Sequence, residues 1–163
     1  MKKRFFAIVL LVFMLVSVFI PSYAAEPVAA ELEFEVCSTN IEYFEDGSYL
    51  VTTIKETPTP RATVYSKSGS KDVILYNQDD EIQWIYSLIG TYTIETGVSV
   101  VCTNSTFTYT IYVDKWSLTE HNNWYSGNVA YGTAVFKKKV LFITTSTQNL
   151  DGAVACDVYG VIS

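Results

Sequence analysis

Strict alternation of apolar and polar residues is the feature that most constrains how this chain can fold. Between residues 81 and 94 one face carries Ile82, Trp84, Tyr86, Leu88, Gly90, Tyr92 and Ile94. A period of two places such residues on one side of a β-strand. Shorter segments at 106–113 and 128–136 repeat the pattern. Because no later window combines a 3.6-residue period with helix caps, the sequence predicts little or no helix in the mature domain.

Short polar segments divide the alternating stretches. Residues 45–48 and 126–128 predict turns between strands, since they combine Gly with Asp, Ser or Asn. Residues 68–70, Ser-Gly-Ser, predict a break between short strands at 62–66 and 72–76. Strands at this spacing are typical of sandwiches and barrels. We therefore expect an all-β fold, an antiparallel β-sandwich of immunoglobulin-like or similar type.

The first 24 residues predict a secretory signal peptide. Three basic residues precede an apolar run at 5–20, which ends at Pro21 with small residues before Ala25. The alternative is a membrane anchor, but 16 residues are fewer than the ~20 that span a bilayer. No later apolar run is as long. We expect a secreted, extracellular protein beginning at Ala25, with no membrane association after cleavage.

Charge divides the mature chain unevenly. Without the three N-terminal cations, the net charge of −6 becomes −9, and residues 26–56 hold eight acidic side chains and one lysine. This balance argues against nucleic acid as a partner. Lys137–Lys139 is the one basic cluster, interpreted as a solvated tip. Residues 25–60 predict an acidic hairpin and Pro linker docked on a main sandwich domain at 61–163, because isolated hairpins are marginally stable.

The three cysteines differ in their expected surroundings. Strand alternation places Cys102 and Cys156 on apolar faces and Cys37 among acidic residues. In an oxidising compartment the inward pair predicts a Cys102–Cys156 disulfide. Cys37 then stays free within the chain, with a thiol pKa raised by its acidic neighbours, or pairs with a second copy to form a dimer.

Catalytic and metal-binding patterns are weak. The single histidine, His121, is expected to be exposed at a strand end or turn, and no Cys-x-x-Cys pair predicts zinc. We therefore predict no cofactor and no metal. Paired carboxylates could serve a small glycosidase, and the candidates lie at predicted strand ends or turns: Asp79, Asp80, Glu81, Asp114 and Glu120.

Several segments resemble a group of short secreted β-proteins from Gram-positive bacteria that have no assigned activity. The segments are Tyr43–Tyr49, Ser66–Lys71, Gly90–Thr93, Val101–Thr103, Ser126–Asn128 and Cys156–Ser163. The resemblance implies secretion and a β fold, and it brings no catalytic residue. Members usually carry the two later cysteines, so that Cys37 is an addition in this chain.

Three functions remain open from the sequence. The first is a secreted, non-enzymatic binding module for an unknown extracellular ligand, whether glycan, cell-wall component or protein. The second is a small secreted hydrolase that uses carboxylates, and the third is a secreted antagonist or inhibitor. The export signal, the missing catalytic set and the aromatic-rich strands favour the first.

Overall fold

A computed structural model describes residues 33–163, which form eight strands and no helix. The predicted signal peptide at 1–24 lies outside the described residues. One sheet contains β1 (Glu35–Tyr43), β2 (Tyr49–Glu56), β3 (Val64–Tyr76), β4 (Ile82–Glu95) and β5 (Ser99–Ile111). The other contains β6 (Trp116–Ser126), β7 (Val129–Val140) and β8 (Ile143–Ala155). The prediction of an all-β, antiparallel two-sheet fold is confirmed.

Within each sheet every strand pairs with its neighbours in sequence, and the chain passes from one sheet to the other between β5 and β6. The order is β1-β2-β3-β4-β5 in the first sheet and β6-β7-β8 in the second. Within the sandwich class this is an up-and-down arrangement, in place of the Greek-key connections of immunoglobulin domains. Local turns between adjacent strands thus determine most of the topology.

Residues 33–163 contain no helix that is long and apolar enough to cross a bilayer.

The core lies between β4 and the second sheet. The inner face of β4 is the one that the alternation predicts, and Trp84, Leu88 and Tyr92 on it are fully buried. Trp84 stacks on Phe136 of β7 with ring centroids 4.2 Å apart. Gly132 of β7 leaves room for the Tyr86 side chain of β4, because an added Cβ would lie 2.7 Å from the Tyr86 hydroxyl. The core therefore combines a large pair that stacks across the sheets with a small residue opposite Tyr86 and Leu88.

The predicted break at 68–70 is wrong, because β3 runs without interruption through it. Gly69 and Ser70 pair with β4 opposite Gly90 and Ile89. Gly69 is needed for packing, not for a turn. A Cβ there would lie 2.7 Å from Ile162 Cγ2, a side chain from the end of the chain. Small residues in a strand can mark a close approach as well as a turn.

The C-terminal segment covers one end of the sandwich, which we call the closed end. Ala155 and Ser163 exchange two backbone hydrogen bonds of 2.9 and 3.0 Å, so that residues 156–163 fold back on β8. Beneath this segment Lys67 is 2 % exposed, and its Nζ donates to Gly160 O at 2.7 Å. The opposite end, which we call the open end, carries the β1–β2, β3–β4 and β7–β8 turns.

The acidic hairpin is joined to the sheet through one strand. β2 pairs with β3 along its whole length, and β1 pairs with β2 alone among the described strands. Every residue of β1 is exposed, whereas β2 is mostly half-buried. The predicted turn at 45–48 is confirmed, with Gly47 at a φ of 79°. The division into segments 25–60 and 61–163 stays a prediction.

Candidate functional site

A polar cavity of about 330 Å³ opens at the open end, and we call it the end pocket. Four parts of the fold meet there: the β1–β2 turn, the β3–β4 turn, the start of β6, and the paired strands β7 and β8. Its lining consists of Asp46, Ser48, Leu75, Tyr76, Asn77, Gln78, Asp79, Gln83, Trp116, Lys138, Ser146 and Gln148. Carboxylates, amides and hydroxyls dominate this set, and the volume is within the usual range for ligand sites of roughly 300–1,000 Å³.

Side-chain hydrogen bonds within each turn hold the rim of the end pocket. The Asp46 carboxylate accepts bonds from the Ser48 amide at 3.0 Å and hydroxyl at 2.5 Å. Asn77 Oδ1 accepts the amides of Asp79 and Glu81 at 3.0 and 2.8 Å. Such Asx turns replace missing backbone partners and order a loop. The polar groups of the pocket are therefore positioned before any ligand arrives.

The charges in the end pocket oppose one another. The two hydrogen bonds from Ser48 lower the pKa of Asp46, and the ammonium of Lys138 adds a smaller effect in the same direction. Lys138 Nζ lies 5.8 Å from the centre of the Trp116 ring. Asp46 is thus ionised at neutral pH beside a lysine, and the pocket offers both charge signs to a polar ligand.

Three tyrosines form a row on the outer face of the sheet, starting at the pocket wall. Tyr76 stacks on Tyr49 at 4.9 Å between ring centroids, and Tyr49 lies 5.4 Å from Tyr43. Tyr49 donates its hydroxyl proton to Asp80 Oδ1 at 2.9 Å, a bond that raises the pKa of Tyr49 to about 12. Tyr43 is 71 % exposed. The tyrosine row presents aromatic rings next to the polar cavity.

The predicted carboxylate candidates are dispersed. Asp79 alone among them lines the end pocket, where it joins Asp46. Asp80 and Glu81 are engaged in the β3–β4 turn, through Tyr49 and Asn77 Nδ2. Asp114 and Glu120 are exposed elsewhere. Residues 33–163 contain no cluster of three or more side chains that could hold a metal ion.

His121 is exposed, as expected from the sequence. It lies within β6 and not at a strand end, with its ring 4.5 Å from the Phe107 ring. An aromatic neighbour gives the imidazole a packing role.

A second, smaller cavity of about 210 Å³ lies along β8 beside the inner face of β2 and β3, and we call it the side groove. Its floor is apolar, with Leu50, Val73 and Leu88. Tyr86 also lines it, and the buried hydroxyl of this residue has no hydrogen-bond partner among the described residues. Burial raises the pKa of Tyr86, so this hydroxyl remains a proton donor. The groove is smaller and has fewer polar groups than the end pocket.

The structure places Cys102 and Cys156 inside and Cys37 outside, which confirms the expected orientations. The backbone amides of the two buried cysteines donate to Gly127 O and Asn128 O, at 2.8 and 3.1 Å. These acceptors are adjacent residues of one turn, so that the turn brings the two cysteine segments together. All three cysteines are free thiols. The Cys102–Cys156 disulfide is not formed in this structure and stays a prediction.

Local groups account for the thiol states. The Cys102 and Cys156 thiols donate to the carbonyls of Asn104 and Asp157, at 3.3 and 3.5 Å. Burial raises the pKa of Cys156 to about 11 and also raises that of Cys102. The pKa of Cys37 is raised as predicted, first by partial burial and then by the Glu56 carboxylate. Each thiol is therefore protonated at neutral pH and a weak nucleophile.

Sequence reasoning missed most of the end pocket. Gln83 and Gln148 lie on different sheets, and only the packing of the sheets brings them to one cavity. The tyrosine row follows from the β2 register, in which Tyr49 pairs with both Tyr43 and Tyr76. Correct hairpin registers from sequence would have found the row. No protein-family model, curated protein or solved structure matches this chain.

Proposed function

We propose that this protein is a secreted, non-enzymatic module that binds a neutral extracellular glycan in the end pocket. The observation that carries the proposal is the ordered set of carboxylate, amide and hydroxyl groups beside a row of aromatic rings. Sugars present hydroxyls that need paired donors and acceptors, together with apolar C–H faces that pack on aromatic rings. The two charge signs in the pocket favour a neutral polar ligand over an ionic one.

The tyrosine row extends the contact beyond one sugar unit. Tyr76 belongs to both the cavity lining and the row, and Tyr43 at its far end is exposed. A bound oligosaccharide would place one sugar unit in the polar cavity and pack the next units on the rings of Tyr49 and Tyr43. The ligand class is thus an oligosaccharide, and polysaccharides of a bacterial cell wall are the first to test.

The test is binding of the mature chain to a glycan array and to purified cell-wall polysaccharide. Gln148→Ala removes a pocket amide, and Tyr43→Ala removes the outermost ring of the row. Each should weaken binding about tenfold, the equivalent of one good hydrogen bond or stacking contact of roughly 1.4 kcal/mol. Tyr125→Ala is the matched control, since Tyr125 is 52 % exposed on β6 and does not line the end pocket. Equal loss in all three variants would contradict the proposal.

Hydrolysis is the second candidate, because Asp46 and Asp79 both line the end pocket. A glycosidase needs one protonated carboxylic acid and one carboxylate. Hydrogen bonds from Ser48 lower the pKa of Asp46, which suits the carboxylate role only. Asp79 would then have to be the acid. Release of reducing sugar from the bound polysaccharide, abolished in both Asp46→Asn and Asp79→Asn, would replace binding by hydrolysis as the function.

A further inference from the structure

The β7–β8 hairpin ends in two bulky apolar residues. Val140 and Ile143 form its last pair, so that Leu141 and Phe142 alone make the turn. Their φ values are 48° and 69°. Positive φ at both positions belongs to a type I′ turn, which strongly prefers Asn-Gly. Leu and Phe are strained in this region of backbone space. The turn therefore carries residues that its own geometry disfavours.

The side chains of this turn are fully presented to solvent. Phe142 is 100 % exposed, Leu141 is 86 % exposed and Ile143 is 69 % exposed. Val140 adds to the same patch at 41 %. We call residues 140–143 the hairpin tip. Contiguous exposed apolar groups on a soluble domain mark a surface that becomes covered. Strain together with exposure indicates that these side chains serve a contact outside the domain.

Three lysines lead directly into the hairpin tip on β7. Among residues 33–163, none of the three forms an ion pair. Lys138 faces the end pocket near Asp46, and Lys137 and Lys139 do not line it. The Lys139 amide donates to Lys115 O at 2.8 Å, which brings a fourth lysine residue to this end. Cationic side chains on long flexible stems therefore lie next to an apolar projection.

We propose that the hairpin tip docks on the surface of an anionic lipid bilayer. Leu141 and Phe142 would enter the boundary between headgroups and acyl chains, and Lys137 and Lys139 would contact anionic headgroups. Apolar side chains next to lysines are the combination that binds this interface, since the ammonium groups reach the headgroups while the stems stay apolar. A second copy of the chain fits less well, because it would bring two lysine clusters together.

The expectation of no membrane association came from the absence of a second long apolar run. Surface docking requires no such run, since the tip only enters the interface. The chain beginning at Ala25 has a net charge of −9, and Asp46, Asp79 and Asp80 lie at the same end, so that the attraction is confined to the lysines of β7 and is sensitive to salt. The inference is independent of glycan binding in the end pocket.

The test measures binding of the chain beginning at Ala25 to vesicles, by co-sedimentation. One set contains phosphatidylcholine alone and the other an equal mixture with phosphatidylglycerol. We expect binding to the mixed vesicles that weakens as salt rises. L141N/F142G installs the preferred type I′ residues, so the fold is kept while binding falls at least about tenfold. K137Q/K139Q should weaken binding about fivefold for each lysine removed.

The control is Val98→Asn, which removes a 68 % exposed apolar side chain from the β4–β5 turn at the closed end and should leave vesicle binding unchanged. Circular dichroism and thermal melting verify that each variant is folded. Absence of binding to mixed vesicles, or binding that L141N/F142G leaves intact, would overturn the proposal. Equal binding to phosphatidylcholine alone would overturn the anionic assignment. Dimers of the wild type that L141N/F142G abolishes would identify a second copy as the occupant instead.

Discussion

The two ends of this sandwich differ in how far their polar and apolar groups are buried and paired. At the closed end every donor of the buried Lys67 ammonium is used, by Thr59 Oγ1 at 2.8 Å, Gly160 O at 2.7 Å and the Glu56 carboxylate at 3.0 Å. At the open end, polar side chains line a cavity that is open to solvent, and Phe142 is fully exposed. A buried charge with all partners present contributes to holding the fold together, whereas exposed apolar side chains and the polar groups around an open cavity are available to ligands.

The difference indicates where the molecule can change without unfolding. The C-terminal segment is fastened by Lys67 and by Glu56, which also accepts the Ile162 amide at 3.2 Å. Removing either the Lys67 or the Glu56 side chain deprives its partners at the closed end of a hydrogen bond. The hairpin tip contributes no such partner, so that its residues can be replaced without loss of buried contacts. We therefore expect mutations at the closed end to affect stability and those at the open end to affect binding.

The largest expected effect is that of Lys67→Met at the closed end. It leaves the Glu56 carboxylate and the Gly160 carbonyl without their buried donor, and the free energy of unfolding should fall by about 3–5 kcal/mol. Urea denaturation measures it. Lys55→Met is the matched control, because the Lys55–Asp72 pair is also short at 2.5 Å but its lysine is 33 % exposed. That change should cost at most about 1 kcal/mol. Equal losses would mean that burial does not distinguish the two pairs.

Gly69→Ala tests the packing of the C-terminal segment on β3. The added Cβ would lie 2.7–2.9 Å from three carbons of Ile162. We expect a loss of about 1–3 kcal/mol from overpacking, measured by thermal and urea unfolding. In Gly152→Ala the nearest contact is an ordinary 3.5 Å, to Leu88, so this control should be nearly neutral. In the double variant G69A/I162A the two losses should not add, since the clash is gone. Full additivity would contradict this contact.

At the open end L141N/F142G should change stability in the opposite direction. Asn and Gly tolerate the positive φ of both turn positions, and no buried contact is lost. The free energy of unfolding should rise by about 1–2 kcal/mol. Thermal unfolding with and without the substitutions measures it. A destabilised variant would show that Leu141 and Phe142 support the fold, and the contrast between the two ends would fail there.

At neutral pH the smallest effect concerns the buried cysteines near the closed end. As a free thiol, Cys156 has a pKa raised from 9.0 to about 11. The unfolded state then ionises first, so stability is constant below about pH 9 and falls as the pH rises toward 11. If Cys102 and Cys156 are bonded in the native protein, as the sequence predicts, this decrease appears only after reduction. Non-reducing peptide mapping of the monomer identifies the bond, and a cross-linked peptide with Cys37 would contradict the pairing.

Local sequence determined the strands whose pattern is strong. The period of two in β4 predicted both its extent and its buried face, and Asp46-Gly47 predicted the β1–β2 turn. These features depend on backbone preferences and on one apolar face, which a short window contains. The inward orientation of Cys102 and Cys156 followed from the same alternation.

Tertiary structure decided the features on which the proposed functions depend. Ser68-Gly69-Ser70 has the composition of a turn, yet β4 and Ile162 hold it as a strand. Leu141-Phe142 has no turn composition, yet the register of β7 and β8 makes it one. The end pocket joins side chains from both sheets. Such outcomes depend on contacts between residues distant in sequence, whose free energies outweigh local preferences of about 1 kcal/mol, and no local window contains them.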